Sequence, residues 1–506
     1  MEKNRIILFY PKPDPRGENL VPLNLMAIAR MLDPELYEVE IINATVQKNS
    51  IQKILNKAKQ GNLLCIGVTS MTGYQIRDAL RLTKKVKKHF PHIPIIWGGY
   101  HATILPLETI KDPTVDIVVK GQGELTFREL VERFSNDFSL DGVQGIVYKT
   151  KEEKIKENPD RPFTDLNEFP ILPWHLVGTH YTIEDPRWGR RIDYYTSQGC
   201  PFNCGFCAEP AFCKRQWTGL NAERVVNEIK MLKSKYNLDA IIIRDSNFFV
   251  NKKRVKKICE GLIQEGLLIK LVGVNARVDT LLSYEDELWE LLYSAGFREL
   301  LVGAESGSEA VLDLINKGIE VEDTLLFFEK ATQYNFRISI SLMSGLPGID
   351  HKEEFVSTLN LIDKILTKNY YGVSECYIFH YIPYPGSSLY ELSKRYGFEP
   401  PLSLKGWSRM NLFYPKASWM EKKYRKYTNY LSLYILRRLT NPYQPTNRIV
   451  KLAYSKFIDP ILKWRWRHRY FNFFFERYLI DTFNYLGALM ARLRRQINYF
   501  KLKRRT

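Results

Sequence analysis

The sequence predicts an α/β protein made of two consecutive α/β domains and a C-terminal helical region. Residues 1–150 are predicted to form a Rossmann-like, doubly wound parallel sheet, residues 191–400 a partial (β/α)6 barrel, and residues 401–506 the helical region. In both α/β domains short apolar runs alternate with helix-length segments, which is typical of parallel β-α units. Residues 151–190 contain five prolines and no sustained periodicity, and this pattern indicates an ordered linker.

The composition favours an intracellular globular protein. The 506 residues suffice for about three domains, and 45% of them are hydrophobic. The seven cysteines are odd in number, and three lie within eight residues, so a reducing cytosol is favoured over a secreted disulfide framework. The apolar run near the N-terminus has only five residues, too few for a signal peptide or a membrane span. We therefore expect a cytoplasmic protein.

Five short apolar runs predict the strands of the N-terminal domain. They span Ile6–Phe9, Val39–Ile42, Leu63–Val68, Ile95–Trp97 and Ile117–Val119. Ligands of such sheets bind beyond the carboxyl ends of the strands. The residues of interest at three of these ends are Ser70 and Thr72, then Gly98, Gly99 and His101, and then Gly121, Gly123 and Glu124. Glycine lets a backbone approach a bulky ligand, so these turns predict a binding crevice, although turns without a ligand can share this composition.

Six further apolar runs predict the strands of the barrel. They span Asp193–Thr196, Ala240–Arg244, Leu271–Val274, Leu300–Val302, Arg337–Leu342 and Glu375–Phe379. Helical patterns separate these runs, and six units predict a partial barrel that is open on one side. Active sites of barrels lie at the carboxyl ends of the strands, so functional residues are expected there.

The segment after the first barrel strand carries the most specific chemical signal. Cys200, Cys204 and Cys207 stand at CxxxCxxC spacing among turn-forming residues. Thiolates suit zinc, copper(I) or iron–sulfur clusters. A structural zinc site is normally closed by four protein ligands, whereas a cubane cluster held by three cysteines leaves one iron open to a small molecule. Three cysteines favour the cluster, and the alternatives are a zinc loop completed by Cys213 or unrelated buried thiols.

The excess of basic over acidic residues is confined to the C-terminal region of the chain. Residues 401–506 contain 24 Lys and Arg against 4 Asp and Glu, whereas residues 1–400 contain 50 against 52. Helical patterns span Glu421–Thr440 and Pro460–Lys503, and the second is rich in aromatic residues. Basic and aromatic residues together favour a helix at a membrane surface. A nucleic-acid surface, which is less favoured, and a helical cap over the barrel are the alternatives.

The order of Ser70, the Gly98–Gly99 pair and the GQGE segment at 121–124 resembles the cobalamin-binding domain that precedes many radical SAM enzymes. The resemblance implies cobalamin contacts from Ser70, Thr72, Gly98, Gly99, Gly121, Gly123 and Glu124. The related domain of cobalamin-dependent mutases has an Asp-x-His-x-x-Gly motif whose histidine ligates cobalt, and this chain lacks that motif. Bound cobalamin would then have no protein histidine on its lower face, or the domain has lost the cofactor. His101 is a candidate for the ligand edge, with a structural histidine as the alternative.

The CxxxCxxC segment follows the first strand of a repeated strand–helix domain, and this arrangement resembles that of the radical SAM superfamily. This resemblance implies that Cys200, Cys204 and Cys207 hold a [4Fe-4S] cluster whose open iron is chelated by S-adenosyl-L-methionine (SAM). The implied SAM contacts are Phe206 near the adenine, Asp245 and Asn247 at the amino end, Arg277 at the carboxylate, Glu305 and Ser306 at the ribose, and Gly345 along the adenine.

The segment YIPYPGSSLY at 381–390 resembles the group that includes hopanoid methylases and the anaerobic magnesium-porphyrin cyclase, and places Tyr381 and Tyr384 toward the substrate. The resemblance implies a cobalamin-dependent radical enzyme that methylates an unactivated carbon of a hydrophobic or amphipathic, lipid-like or tetrapyrrole-like substrate. The alternatives are cyclisation or carbon–carbon bond formation without methyl transfer, and a membrane- or RNA-binding iron–sulfur scaffold. The expected partners are a ferredoxin- or flavodoxin-like electron donor and a peripheral membrane surface.

Overall fold

The N-terminal domain contains a seven-stranded sheet. The computed structural model describes residues 3–13, 20–367, 372–410, 417–440, 451–452, 454–483 and 485–486. The first strands are β1 (Asn4–Tyr10), β2 (Tyr37–Asn43), β3 (Leu63–Thr69), β4 (Ile95–Gly98), β5 (Ile117–Val119), β6 (Ile146–Lys149) and β7 (Ile155–Glu157). They are ordered β2-β1-β3-β4-β5-β6-β7. All five predicted strands are present and parallel, and β6 and β7 add an antiparallel edge that was not predicted.

Helices cover both faces of this sheet, as predicted for a doubly wound domain. The helices are Leu23–Ala29, Ser50–Ala58, Tyr74–His89, Tyr100–Ile104, Pro106–Ile110 and Glu124–Ser135. Leu8 belongs to the same buried cluster as Met26 and Phe127, whereas its neighbour Phe9 belongs to a second cluster with Ile76. Successive side chains of a strand point to opposite faces, so a strand covered on both sides must be apolar throughout.

The linker lies on the second domain rather than extending into solvent. It contains three short 3-10 helices, Leu166–Glu168, Trp174–Leu176 and Thr179–Tyr181. The hydroxyl of Tyr236 donates to the carbonyls of Trp174 and Val177 at 3.0 and 2.9 Å. These bonds satisfy backbone groups that the irregular segment cannot pair internally.

The second domain is a partial barrel with six parallel strand positions. Its strands are β8 (Ile183–Asp185), β9 (Gly189–Tyr194), β10 (Ser197–Gly199), β11 (Trp217–Gly219), β12 (Ala240–Ile243), β13 (Lys270–Val272), β14 (Val274–Ala276), β15 (Glu299–Glu305), β16 (Arg337–Ser344) and β17 (Val373–His380). The six parallel positions are formed by β9, β12, β13 with β14, β15, β16 and β17. The strand β8 and the pair β10–β11 are antiparallel additions. Two sheets, β13-β12-β9-β8 and β14-β15-β16-β17, share the third strand position, which is interrupted at Gly273. Gly273 has φ +61°, and a parallel bridge from Leu271 to Phe297 continues the curvature.

The predicted first barrel strand was placed too far along the chain. It was expected over Asp193–Thr196, but β9 spans Gly189–Tyr194 and forms an antiparallel hairpin with β8. The side chain of Asp185 accepts hydrogen bonds from the backbone of Arg187 and Trp188 at 2.8 and 3.2 Å, which stabilises the hairpin turn. The polar hairpin residues obscured the beginning of this strand in the sequence pattern.

Helices follow the strands of the second domain. They are Glu209–Cys213, Ala222–Tyr236, Lys252–Gln264, Val278–Leu282, Asp286–Ser294, Glu309–Leu314, Val321–Gln333, His351–Thr367, Ser388–Arg395 and Leu404–Trp407, with a 3-10 turn at Phe248–Val250. The strand–helix alternation predicted for this domain is therefore present.

The C-terminal region covers the open edge of the barrel at β17. Its helical segments are Lys422–Tyr430, a π-helical stretch at Leu431–Leu436, Arg437–Thr440, a second π-helical turn at Tyr454–Ile458, and Asp459–His468. The hydroxyl of Ser432 accepts a hydrogen bond from the backbone N–H of Ile378 in β17 at 3.3 Å. Exposed strand edges promote unwanted pairing, and this contact covers one. The described part of this region therefore includes a cap over the barrel.

The predicted helix over Pro460–Lys503 is interrupted in the described residues. The helix that includes Pro460 ends at His468, and Arg469 has a left-handed φ of +51°. The buried guanidinium of Arg465 donates to the carbonyls of Tyr470, Asn472 and Phe473, and it pairs with buried Glu476. These bonds favour a loop at 470–475, after which residues 476–483 are helical again. Residues 487–506 lie outside the described part of the chain. Among the described helices, none combines the length and apolar character needed to cross a bilayer.

Glu354 joins the helix His351–Thr367 to the loop after β16. Both of its carboxyl oxygens accept from the backbone N–H of Gly345, at 3.0 and 3.2 Å, and the indole of Trp419 donates to the carbonyl of Gly345 at 2.9 Å. Glu354 is 1% exposed. Burial raises the pKa of Glu354 from its ordinary 4.5 to about 8, while the backbone donors Gly345 and Leu346 oppose that rise.

This buried carboxyl is expected to make stability depend on pH. Between pH 4.5 and about 8 the folded chain retains a proton on Glu354 that the unfolded chain has released, so the free energy of unfolding falls as pH rises. The slope contributed by one such group is at most about 1.4 kcal/mol per pH unit. Glu354→Gln should remove this component in urea unfolding series at pH 5, 6, 7 and 8. Glu353→Gln, at an exposed position of the same helix, is the control. An unchanged slope in Glu354→Gln would contradict the expectation.

Candidate active site between the two domains

A cleft lies where the carboxyl end of the N-terminal sheet meets the barrel. Its walls include the predicted residues Gly98, Gly99, Gly121, Gly123 and Glu124. The barrel domain contributes Gln198 and Phe212 to the same cleft. The structure therefore brings two of the three predicted turns together in the cleft wall and places them beside the segments that flank the cysteine loop.

Gly99 is required by the geometry of the cleft wall. Its φ is +88°, and a Cβ atom at this position would lie 2.8 Å from the carbonyl oxygen of Ser70. Ser70 is fully buried, and its hydroxyl donates to the carbonyl of Gly98 at 2.9 Å. Ser70 thus supports the glycine turn from behind and does not line the cleft, while the absence of a side chain at Gly99 leaves backbone exposed to a ligand.

His101 and Thr72 are directed into the protein rather than into the cleft. His101 is 1% exposed, its Nδ1 is hydrogen-bonded to the hydroxyl of Thr72 at 2.9 Å, and its ring lies edge-on to Trp407 at 5.7 Å. Burial lowers the pKa of His101 to about 3, so the imidazole is neutral. The structural alternative for His101 is the one that these contacts favour, and its contact with cobalamin stays a prediction.

Glu124 lines the cleft as half of a buried ion pair. Its carboxylate lies 3.1 Å from the guanidinium of Arg30, and the two side chains are 5% and 2% exposed. Burial raises the pKa of Glu124, and the charge of Arg30 opposes this rise. The pair fixes the Glu124 carboxylate in the cleft wall.

The cysteine loop follows β9 and β10 and is held by two distant elements. The backbone N–H of Gly205 donates to the carbonyl of Ile315 at 2.7 Å, and its carbonyl accepts from the backbone of Leu389 at 3.0 Å. Gly199, which precedes Cys200, has φ +83°, and a Cβ there would lie 2.2 Å from the carbonyl oxygen of Gln216. The loop conformation therefore requires this glycine.

The three cysteine thiols share one side of the barrel mouth with a cation. Arg277 Nη1 donates to the sulfur of Cys204 at 3.0 Å, and the backbone N–H of Glu209 donates to the sulfur of Cys207 at 3.4 Å. Burial raises the pKa of Cys200, and it raises that of Cys207 to about 12. Metal ligation must therefore displace thiol protons, and nearby N–H donors stabilise the thiolates that result.

Cys213 is not arranged as a fourth ligand. It is buried, and its thiol donates toward the carbonyls of Glu209 and Cys200 at 3.0 and 3.6 Å. In the part of the chain that the structure describes, no three His, Cys, Asp or Glu side chains converge on one metal ion. A [4Fe-4S] cluster does not need such convergence, because each thiolate binds a different iron. Three thiolates in one glycine-shaped loop are a donor set that fits this cluster.

The second barrel strand ends in a polar network that includes Asp245 and Asn247. Asp245 is fully buried, and its carboxylate accepts hydrogen bonds from the backbone and hydroxyl of Thr196 and the hydroxyl of Ser197, each at 2.6 Å. Asn247 is buried too, and its side-chain N–H2 group has no partner. An unpaired buried donor fits the presence of a ligand at this strand end. The SAM contacts of both residues remain predictions.

Arg277 and Glu305 are each paired within the protein. Arg277 forms a two-bond contact with Asp279, at 3.0 and 2.8 Å, and its guanidinium lies 3.9 Å from the ring centroid of Phe202. Glu305, with a left-handed φ of +64°, forms a buried ion pair with Lys317 at 2.6 Å. The predicted SAM carboxylate and ribose contacts would have to share these groups with their present partners.

The remaining predicted residues lie around the same barrel mouth or behind it. Phe206 lies with its ring centroid 5.8 Å from Lys317 Nζ. Ser306 is buried and accepts from the backbone N–H of Ser308 at 3.1 Å. Tyr381 is buried, with its hydroxyl accepting from Ser393 at 3.3 Å, and Tyr384 is half-buried. Neither tyrosine lines the interdomain cleft, and their contact with substrate stays a prediction.

Sequence reasoning missed four residues that the fold brings to this site. They are Tyr100, Gln198, Phe212 and Lys317. Tyr100 directly follows the Gly98–Gly99 pair, a position that could have drawn attention to it. Lys317 carried no comparable signal, because it meets Glu305 only when the loop after the helix Glu309–Leu314 folds back.

Two family models match the chain in the order that the structure presents. The model of the B12 binding domain matches residues 15–131, and that of the Radical SAM superfamily matches residues 194–362. The first match covers most of the N-terminal sheet, and the second begins at the end of β9 and includes the cysteine loop.

Individual relatives agree with both matches. The chain is 29% identical over 399 residues to an uncharacterized methyltransferase of Pyrococcus horikoshii, covering 77% of this chain and 83% of the relative. It is 28% identical over 323 residues to the anaerobic magnesium-protoporphyrin IX monomethyl ester cyclase of Synechocystis, covering 62% of this chain and 63% of the cyclase.

A solved structure shares the fold across both domains. It is the cobalamin-dependent S-adenosylmethionine radical enzyme OxsB with aqua-cobalamin and S-adenosylmethionine bound, at a TM-score of 0.70 and 17% identity, covering 97% of this chain and 72% of OxsB. The matched domains, the three-cysteine loop and the glycine-lined cleft lead to one conclusion: the chain carries a B12-binding domain followed by a Radical SAM domain, and the cofactors that these domains imply are a [4Fe-4S] cluster, SAM and cobalamin.

Proposed function

We propose that this enzyme transfers a methyl group to an unactivated carbon of a hydrophobic or amphipathic small molecule. The observation that carries the proposal is the cleft whose glycine turns come from the B12-binding domain and whose opposite wall comes from the flanks of the cysteine loop. The archaeal relative is named a methyltransferase, which supports this reaction. When bound, the cluster and SAM supply a carbon radical, and cobalamin supplies a transferable methyl group.

The residues of the chain hold, orient and enclose these groups. Cys200, Cys204 and Cys207 bind the cluster, and Arg277 stabilises the negative charge on the Cys204 sulfur. The turn at Gly98 and Gly99 offers backbone to a flat ligand without side-chain obstruction. Reduction of the cluster requires a one-electron donor, for which a ferredoxin- or flavodoxin-like protein is the proposed partner.

Ring closure is the second candidate reaction. The similarity to the anaerobic cyclase of Synechocystis favours it, since that enzyme is named for a cyclisation. In this alternative the substrate loses hydrogens and gains no methyl group. A non-enzymatic scaffold would keep the cluster and show no SAM cleavage under reduction.

Contact with an anionic membrane surface is a further part of the proposal. An aromatic surface, defined here as Phe457, Trp464, Tyr470, Phe473, Phe475 and Tyr478, is exposed in the C-terminal region, with Phe473 80% exposed. Lys463, Arg467 and Arg477 are exposed in the same segment. Aromatic rings favour the headgroup boundary of a bilayer and basic side chains favour its anionic lipids, so the two residue types together support a lipid surface.

The cysteine loop gives the first prediction for this function. Cys200→Ala should abolish the visible absorbance of the cluster after anaerobic reconstitution and stop SAM cleavage by dithionite-reduced protein, because one of the three iron ligands is lost. Cys213→Ala should keep both, since its thiol faces backbone carbonyls. Stoichiometric zinc without iron in the wild type, or cluster loss in Cys213→Ala alone, would contradict the assignment.

The fate of the methyl group separates the two candidate reactions. Protein purified anaerobically with cobalamin supplied should contain cobalt, and with trideuteromethyl SAM and reductant it should form labelled methylcobalamin. Magnesium protoporphyrin IX monomethyl ester and a lipid extract are suitable first substrates, with products followed by mass spectrometry. A labelled methyl group in the product supports methyl transfer, whereas an unlabelled product that has lost hydrogens supports ring closure and overturns the first proposal.

The membrane contact is tested with vesicles. Phe473→Ser combined with Phe475→Ser should weaken sedimentation with phosphatidylcholine–phosphatidylglycerol vesicles by about tenfold or more, because two exposed rings lose their apolar contact. Leu402→Ser is the matched control, since Leu402 is 97% exposed and lies outside the aromatic surface. Equal sedimentation of the wild type and the double variant with vesicles would refute the membrane contact. A double variant that loses binding to RNA but keeps binding to vesicles would refute it as well.

A further inference from the structure

Tyr100 and Glu209 form the polar contact that connects the glycine turn of the N-terminal domain to the cysteine loop. The hydroxyl of Tyr100 donates to Oε2 of Glu209, and the hydroxyl of Ser246 donates to Oε1 of the same carboxylate at 2.8 Å. Tyr100 directly follows Gly98 and Gly99 in the chain. One carboxylate thus receives hydrogen bonds from the B12-binding domain and from the end of the second barrel strand.

Glu209 is coupled to the cluster ligands through its own backbone. It stands two residues after Cys207, and its N–H donates to the Cys207 sulfur at 3.4 Å. Its side chain is buried, with the whole residue 8% exposed, and it begins the short helix Glu209–Cys213. This bond joins the Cys207 sulfur to the backbone that carries the carboxylate.

The ring of Tyr100 adds a second connection between the domains. It stacks on Phe212 at 4.2 Å between centroids and 20° between planes, and Phe212 lines the cleft. Gly386 closes the interface nearby, since a Cβ there would lie 2.6 Å from Ala211 and 3.2 Å from Ile104. The helix that carries Glu209 is therefore packed against Tyr100 through Phe212 and against Gly386 through Ala211, and close packing of this kind transmits strain.

Among the described residues, a second hydrogen bond between the domains ends on Gln198, which stands two residues before Cys200. Gln122 donates to Gln198 at 2.9 Å and to the carbonyl of Thr164 at 3.1 Å. Both partners of this bond are neutral, whereas the bond from Tyr100 ends on a carboxylate. Hydrogen bonds to charged groups are about twice as strong as neutral ones, so the Tyr100–Glu209 contact is the stronger connection.

We propose that Glu209 is a positioning residue that couples the cluster site to the cobalamin cleft. When Cys207 is held by the cluster, the carboxylate holds Tyr100 and thereby the Gly98–Gly99 turn in the shape that receives cobalamin. Without the cluster this turn is less restrained and the cleft binds cobalamin more weakly. The proposal rests on the proposed function for the identity of the ligand, but the mechanical link can be measured without that ligand. Because coupling between two sites is reciprocal, cobalamin should also protect the cluster.

Amide hydrogen exchange of residues 98–104 tests the link without cobalamin. In the wild type, reconstitution of the cluster should slow exchange in this segment relative to the cluster-free protein. In Tyr100→Phe and Glu209→Gln this cluster-dependent slowing should disappear or fall several-fold. A contact with only a structural role would instead raise exchange equally in the presence and absence of the cluster, and that result would overturn the proposal.

Tyr148→Phe provides the matched control. Tyr148 also donates to a carboxylate within the N-terminal domain, that of Asp141, at 2.6 Å. This variant should keep the wild-type difference between cluster-loaded and cluster-free protein. Iron content is measured for every variant, and Tyr100→Phe, which does not alter the cysteine loop, keeps the test decisive if Glu209→Gln loads poorly.

Cobalamin affinity supplies the second measurement. Titration with hydroxocobalamin should give a dissociation constant that is smaller for cluster-loaded than for cluster-free wild type, and this ratio should shrink by about tenfold in Tyr100→Phe, as expected for loss of a hydrogen bond to a charged group. An unchanged ratio in the variant refutes the coupling. Failure of the wild type to bind hydroxocobalamin in either state would refute the proposed function, while the exchange experiment still decides on the Tyr100–Glu209 link.

Discussion

The site depends on one constraint: the carboxyl ends of the strands in the N-terminal sheet face the carboxyl ends of the strands in the barrel. In a parallel sheet every strand delivers its following loop to the same edge, and in this chain the edge of the N-terminal sheet faces the mouth of the partial barrel. The glycine turns at Gly98 and Gly121 and the flanks of the cysteine loop become neighbours only because both edges are turned toward each other. The linker hydrogen bonds to Tyr236 and the stacking of Tyr100 on Phe212 maintain that arrangement.

Buried ion pairs lie at three places in the described chain. Arg30 with Glu124 lies at the cleft, Lys317 with Glu305 at the fourth barrel strand, and Arg465 with Glu476 beneath the loop at 470–475. Such pairs stabilise a fold weakly, because desolvation offsets much of the attraction, but loss of one partner leaves a buried charge and costs roughly 3 to 5 kcal/mol. The main effect of these ion pairs is to fix positions, since each pair favours one arrangement of the elements that carry it.

The sequence predicted an element correctly where the pattern of its own residues determines it. The apolar runs of the N-terminal domain predicted all five parallel strands, because a strand buried on both faces is apolar throughout. The hairpin of β6 and β7 was missed although Ile146, Val147 and Tyr148 of β6 are apolar and buried. The first barrel strand, β9, was placed too late because it begins with Gly189, Arg190 and Arg191, which carry no apolar pattern. The helix predicted to Lys503 is interrupted in its described part, since Arg465 binds three carbonyls of the chain beyond His468 and favours a loop there.

The sequence by itself determined the spacing of the predicted cluster ligands and the glycine turns, because CxxxCxxC spacing and glycines at strand ends are local requirements of the chemistry and of the backbone. Only the tertiary structure decided which polar groups are already engaged: Arg277 on Asp279 and Cys204, Glu305 on Lys317, and His101 on Thr72. It alone placed Tyr100 against Glu209, residues more than a hundred positions apart. A side chain's partners across such distances depend on how the domains pack, and periodicity along a chain carries no information about that packing.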